Sequence, residues 1–92
     1  MYKNIIKLEI DENLRCLAGE DYAKLIYKTQ ISDKVNLAKK NVIVIPSNIR
    51  IISDSFATGI VLASNIKPDK FYKYFSIEGS DRVVNKFKEI LE

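Results

Sequence analysis

The chain has 92 residues, of which 47% are hydrophobic and 29% are charged, and its formal net charge is +3. This length and balance predict one small folded unit with a single core, and they exclude a disordered tail. One cysteine and no histidine exclude an internal disulfide and a zinc site of nitrogen and sulfur ligands. Because a serine or cysteine nucleophile would lack its usual general base, we predict that the protein is not an enzyme.

The composition also bears on the cellular compartment. Lys3, Lys7 and Glu9 interrupt the apolar residues of the N-terminal segment, which therefore lacks the continuous apolar centre of a signal peptide. No stretch approaches the roughly 20 apolar residues that a membrane-spanning helix needs. We expect a cytoplasmic protein without a membrane partner, and we expect its single thiol, Cys16, to be buried in the core.

The first part of the chain predicts two strands and a helix. Apolar and charged residues alternate from Ile6 to Ile10, which indicates a half-buried strand. Residues 11–13 favour a turn, and residues 14–17 are predicted to return as a second, short strand antiparallel to the first at one edge of the sheet. From Gly19 onward, apolar residues recur at helical spacing. The polar stretch from Ser32 to Asn41 predicts a loop or a short helical turn capped by Ser32.

The middle of the chain predicts the centre of the sheet. Val42–Ile45 is an unbroken β-branched run that ends at a proline, which is typical of a strand covered on both faces. Ser53 and Asp54, both good helix N-caps, precede a helix predicted from Ser55 to about Ser64. This helix is apolar nearly all round, so we expect it to be mostly buried, with Gly59 allowing a close approach to the sheet.

The last third predicts a connection over Asn65–Lys70, an aromatic-rich strand over Phe71–Ile77 and a helix that is capped by Ser80 and ends near Leu91. Strands that alternate with helices predict right-handed crossovers onto a mostly parallel sheet. We therefore predict an α/β fold in which residues 1–92 form a single small domain. Its sheet is expected to be mixed and mostly parallel, with about four strands and about three helices.

The start of the chain offers a route to self-association. Tyr2 and Ile5 would lie near the beginning of an edge strand with an exposed apolar side. Such an edge presents unpaired backbone groups, so a homodimer formed by edge pairing is an open expectation.

No metal or cofactor site is predicted. Asp11, Glu12, Glu20 and Asp21 could in principle gather a metal ion, but roles in a turn and in the first turn of a helix account for all four. The glycines are isolated, so they cannot build a phosphate-binding loop.

Basic and aromatic residues alternate at Tyr72, Lys73 and Tyr74, as they do on platforms that bind single-stranded nucleic acid. A strand with a covered aromatic face explains the same residues. Only three of the fifteen basic residues are arginines, which argues against strong nucleic-acid binding. A small nucleic-acid-binding or phage-type accessory protein with contacts at Lys67, Lys70 and Lys73 is therefore the alternative function.

The segment Ile51–Ile60, with the sequence Ile-Ile-Ser-Asp-Ser-Phe-Ala-Thr-Gly-Ile, comes soon after the predicted central strand. It resembles the strand-to-helix junction of STAS domains, the fold of anti-sigma-factor antagonists, in which an Asp-Ser dipeptide opens a helix. Ile-Ser-Asp-Ser-Phe-Ala is also similar to the Ser-Phe-Ala pattern of a STAS-like family (domain of unknown function 4325). The resemblance extends from Val42 to Ile90, and the N-terminal half matches in the order of its elements.

By this resemblance, Ser55 is the junction serine that is phosphorylated in the anti-sigma-factor antagonists. A phosphate there would lie at a helix N-terminus, where amide donors and the helix dipole stabilise negative charge. The resemblance implies a non-enzymatic regulatory or scaffolding domain that binds a protein partner, such as a histidine-kinase-like ATPase, through Ser53, Asp54, Ser55 and Phe56. The alternative is that these polar residues only cap a core helix, and for Ser55 both interpretations remain open.

Overall fold

The computed structural model describes residues 2–92 and has the predicted α/β architecture. Its elements are strands β1 (Lys3–Lys7) and β2 (Cys16–Leu17), helix α1 (Glu20–Ile26), strands β3 (Lys40–Val44) and β4 (Ile51–Ile52), helices α2 (Asp54–Ala63) and α3 (Phe71–Tyr74), strand β5 (Phe75–Glu78) and helix α4 (Asp81–Leu91). Helix α1 continues into a π turn (Tyr27–Ile31) and a 3-10 turn (Ser32–Lys34), and another 3-10 turn (Pro68–Lys70) precedes α3. None of the helices within residues 2–92 combines the length and the apolarity needed to cross a bilayer.

Strand β3 lies at the centre of a three-stranded parallel sheet with the order β1-β3-β5. Ile6, Ile43 and Ile77 are in register across the three strands, and all three belong to the core. The prediction of a central strand is confirmed, with the boundaries of the strand moved from Val42–Ile45 to Lys40–Val44. Strand β1 is an edge, as expected, but it spans Lys3–Lys7 and not the predicted Ile6–Ile10. Its exposed Lys3 and Lys7 oppose edge-to-edge pairing.

The predicted antiparallel hairpin is wrong. Strand β2 pairs in parallel with β4, and Leu17 lies opposite Ile52 in a separate two-stranded sheet. The Asn48 side chain holds the preceding turn in place by donating a hydrogen bond of 2.9 Å to the Leu14 carbonyl. This contact spans 34 residues, so the local turn pattern could not reveal where the chain goes. Alternation in β2 buries Leu17 and leaves Cys16 exposed, which corrects the predicted burial of the thiol.

One face of the three-stranded sheet packs against the helices, because Ile6, Ile43 and Ile77 share the core cluster with Ala23, Phe56 and Phe87 of α1, α2 and α4. The opposite face carries Ile5, Val42 and Ser76 in register. Ile5 is exposed, whereas Val42 is fully buried and lies outside the core cluster of residues 2–92. Val42 and Ile43 lie on opposite faces of β3 and both are buried, so the prediction of a central strand covered on both faces is confirmed.

Gly59 allows two helices to approach closely. A Cβ atom at this position would lie 2.7 Å from the Ala23 Cβ and 2.9 Å from the Glu20 carbonyl oxygen, both in α1. The sequence predicted a close approach, but to the sheet. The glycine instead lies at the contact between α1 and α2.

A buried amide, Asn41, organises the amino end of the sheet. Its Oδ1 accepts hydrogen bonds from the Asn4 side chain at 2.7 Å and from the Asn36 backbone N–H at 2.9 Å. Its Nδ2 donates to the carbonyls of Asn36 and Tyr74, both at 3.0 Å. One side chain thus connects β1, the loop before β3 and the end of α3.

The predicted aromatic strand is half helical, because Phe71–Tyr74 forms α3 and only Phe75–Glu78 forms a strand. Phe71 and Phe75 are four residues apart, a spacing that also fits a helix, and their rings stack at 4.9 Å. The 3-10 turn that begins at Pro68 leads the chain into α3. The predicted Ser80 cap of the last helix is confirmed, since its side chain accepts a hydrogen bond from the Val83 backbone N–H.

Candidate functional site

Ser53 is the N-cap of α2 and connects the two central helices. Its Oγ accepts hydrogen bonds from the Phe56 backbone N–H at 3.0 Å and from the Gly19 backbone N–H at 3.3 Å. The first bond is the usual cap, which satisfies a backbone donor of the first helical turn. The second joins the start of α2 to the residue that precedes α1. The predicted capping role of Ser53 is confirmed.

Asp54, the first residue of α2, forms an ion pair with α4. Its carboxylate lies 2.8 Å from the Lys86 ammonium, which also approaches the Glu89 carboxylate at 3.7 Å. The hydrogen bond with Asp54 is the largest cause that raises the pKa of Lys86, so this side chain remains charged at neutral pH. Because the carboxylate is exposed, we expect the pair to orient side chains and to add little stability.

Ser55 is exposed, and its Oγ lies 2.9 Å from the Oγ of Ser53. The hydroxyl group is therefore accessible from solvent at the first turn of a ten-residue helix. A negatively charged group attached at this position would face the positive end of the α2 dipole.

Phe56 does not belong to the surface. Its side chain is fully buried and packs against Tyr22, with the ring centroids 5.9 Å apart. The helical turn that exposes Ser55 directs the next side chain into the core. The predicted contact of Phe56 with a partner is corrected to a core position, and Ser53, Asp54 and Ser55 remain as the accessible or half-accessible residues of the junction.

An open groove of about 310 Å³ lies beside the start of α2, between β4 and α4. Its walls are formed by Ile51, Ile52, Arg82, Asn85, Lys86 and Glu89. Ile51 keeps 43% of its surface exposed, and Lys86 connects the groove to the junction through its ion pair with Asp54. We call the combined surface the docking face, which consists of Ile51, Ser53, Asp54, Ser55, Arg82, Asn85, Lys86 and Glu89.

Several residues of the docking face were missed in the sequence. Arg82, Asn85, Lys86 and Glu89 recur at a spacing of three or four residues, which places them on one side of α4. This row of polar residues can be recognised in the sequence, but no local sequence pattern shows that it faces β4. In the sequence, Ile51 was named only as the first residue of the segment that resembles a STAS junction.

The three lysines predicted for nucleic-acid contact are not brought together in one site. Lys73 lies in the wall of a second hollow, of about 420 Å³, and Lys67 and Lys70 are not among its lining residues. This hollow is lined by Tyr2, Leu37, Ala38, Lys39, Lys40, Lys73 and Tyr74. Lys39 and Lys40 were missed, because they lie more than 30 residues before Lys73 in the chain.

Within residues 2–92, no group of three or more His, Cys, Asp or Glu side chains is placed to hold a metal ion. Comparisons with protein-family models, with curated proteins and with solved structures find no match to this chain. The docking face is therefore the feature of the structure that bears most directly on function.

Proposed function

We propose that this chain is a non-enzymatic regulatory or scaffolding domain that binds a protein partner through the docking face. The observation that carries the proposal is the exposed Ile51 beside an open groove, surrounded by polar side chains of α2 and α4. An apolar centre with a polar rim is the usual arrangement of a protein interface. The STAS-like resemblance of the junction supports the same surface, because its junction serine, Ser55, lies within it.

The charges of the docking face indicate which partner would fit. Asp54 and Glu89 both approach Lys86, so the Lys86 ammonium is already paired within the protein. Arg82 forms no ion pair with any residue in the described part of the chain, 2–92. A partner segment that carries an apolar side chain next to a carboxylate would fill the groove and pair with Arg82. A histidine-kinase-like ATPase is the partner class that the STAS-like resemblance implies.

Phosphorylation of Ser55 would regulate this binding. A phosphate adds nearly two negative charges at neutral pH, and the start of α2 would stabilise it. The same charge, next to Asp54, would repel the carboxylate of the partner. We therefore expect the phosphorylated form to bind more weakly than the unmodified form.

The proposed compartment is the cytoplasm. Cys16 is an exposed free thiol, and such a group stays reduced where glutathione and thioredoxin act.

Two matched substitutions test the docking face. Ile51→Lys places a charge in the groove, and Leu25→Lys places the same charge near the end of α1 at a residue that is also exposed, at 54%. We expect Ile51→Lys to weaken the partner complex at least about tenfold, because it removes the apolar anchor, and Leu25→Lys to change it less than about twofold. Partners are captured from the source cells, purified, and titrated against each variant by isothermal calorimetry.

Circular dichroism of both variants checks that each is folded. Equal weakening by the two substitutions, or full binding by Ile51→Lys, contradicts the assignment of the docking face.

A further inference from the structure

The hollow beside Lys73 lies at the amino end of the three-stranded sheet, and we call its lining residues the basic hollow. It contains three lysines and two tyrosines, and among the described residues that line it there is no aspartate or glutamate. Lys3, the register partner of Lys40, begins the neighbouring strand and brings a fourth lysine to this end of the sheet. Positive charge is therefore concentrated here in a protein whose net charge is only +3.

These charges are not compensated within the protein. Lys3, Lys39, Lys40 and Lys73 form no ion pair with an acidic residue anywhere in the described range 2–92. The Lys40 ammonium donates a hydrogen bond to the Tyr72 carbonyl, which fixes its position in the wall. Uncompensated lysines around a concave surface attract a polyanion, because phosphate groups replace their small counterions.

The basic hollow also exposes flat and apolar side chains. Tyr2 is 78% exposed and Leu37 is 60% exposed, so both leave apolar surface in contact with water. The Lys73 ammonium lies 5.5 Å from the centre of the Tyr74 ring, so a cation and an aromatic ring are already neighbours. An exposed tyrosine ring offers a stacking surface to a nucleic-acid base, and such stacking contributes about 1–3 kcal/mol per base.

The loop that supplies Leu37 and Lys39 is held in position. The Asn36 and Lys39 carbonyls accept hydrogen bonds from Asn41 Nδ2, at 3.0 and 3.3 Å. The Asn36 side chain accepts a further bond from the Ala38 backbone N–H at 2.9 Å. A wall that is ordered before binding loses less conformational entropy when a ligand arrives.

We propose that the basic hollow binds single-stranded nucleic acid. The four lysines contact consecutive phosphates, and Tyr2 stacks on an unpaired base. No arginine is among the lining residues described, so the bidentate contact that reads guanine is lacking and binding should tolerate any sequence. A duplex should bind more weakly, because its bases are already stacked on one another. This site replaces the predicted set of Lys67, Lys70 and Lys73 and lies apart from the docking face.

Fluorescence anisotropy with a labelled single-stranded oligothymidylate of about 12 nucleotides tests the proposal. The variant with Lys39→Ala and Lys73→Ala removes two charges from the basic hollow, and the control with Lys28→Ala and Lys88→Ala removes two exposed charges elsewhere. At about 20 mM salt, we expect the first pair to weaken binding about tenfold and the control pair less than about twofold. The salt dependence should also fall by about 1.4 in slope for the first pair, because two phosphate contacts are lost.

A second comparison separates stacking from charge. Tyr2→Ala should weaken binding about fivefold, whereas Tyr2→Phe, which keeps the ring, should bind like the unmodified protein. Absence of binding at low salt, equal weakening by the two lysine pairs, or duplex binding as tight as single-strand binding overturns the proposal. Equally tight binding of a labelled polyglutamate peptide also overturns it, and would assign the basic hollow to an acidic protein segment.

Discussion

Replacement of Gly59 by alanine should lower the free energy of unfolding by about 2–3 kcal/mol, although alanine favours a helix over glycine by about 1 kcal/mol. The added Cβ would lie 2.7 Å from the Ala23 Cβ and 2.9 Å from the Glu20 carbonyl oxygen. Neither atom is at the end of a flexible side chain, so α1 and α2 must move apart. Because Ser53 accepts a hydrogen bond from Gly19, which precedes α1, this separation would also disturb the docking face.

Urea denaturation of three variants measures this effect. Thr58→Ala, at the half-buried neighbouring position of α2, is the control and should change stability by less than about 0.5 kcal/mol. Addition of Ala23→Gly to Gly59→Ala removes the closest contact, so the double variant should lose less than the sum of the two single losses. Unchanged or increased stability of Gly59→Ala would show that the helices do not meet at this residue.

Asn41→Ala should lower the free energy of unfolding by about 2–4 kcal/mol. The Asn41 side chain is fully buried, and its removal leaves the Asn36 N–H and the Tyr74 carbonyl without their partners. Each buried polar group that loses its partner costs about 1–3 kcal/mol, and solvent should replace part of the loss at the loop. Because the same side chain holds the loop of the basic hollow, the variant should also bind the oligonucleotide more weakly.

Asn36→Ala is the matched control for this substitution. The Asn36 side chain is exposed and accepts one hydrogen bond, from Ala38, so its loss should cost less than about 1 kcal/mol. Thermal and urea unfolding compare the two variants under the same conditions. Equal costs would show that burial of the Asn41 amide does not organise the amino end of the sheet.

The elements that could be predicted are those with local signals. The β-branched run after Asn41 is a central strand, and the serines at positions 53 and 80 cap α2 and α4, because a cap needs only the polar side chain and the turn that follows it. Long-range pairing could not be predicted. Strands β2 and β4 have two residues each, too few for a periodic pattern, and hydrogen bonds across more than 30 residues determine their pairing.

The candidate site likewise combines features that local sequence patterns predict with features that depend on long-range contacts. Exposure of Ser55 follows from its place in the first turn of an amphipathic junction, but the burial of Phe56 depends on where Tyr22 lies. Ile51 alone looked like any apolar residue of a strand, and only the position of α4 makes it the centre of a groove. Lys39 and Lys73 line the same hollow, and no spacing within the sequence indicates that they do.

The two proposed surfaces lie at different ends of the sheet, so their tests are independent. Lys3 and Lys40, the first residues of β1 and β3, mark the end that carries the basic hollow. The docking face is built from β4 and the start of α2, which follow the carboxyl end of β3. A variant of one surface should therefore leave binding at the other unchanged.

Site-specific photo-crosslinking tests the docking face most directly. A benzophenone amino acid replaces Ser55 in one sample and the exposed Leu25 in another, and both samples are irradiated in the source cells. We predict a discrete protein adduct from position 55 that is lost when Ile51→Lys is added, with no such adduct from position 25. An adduct from position 25 alone, or one from position 55 that persists with Ile51→Lys, would contradict the account.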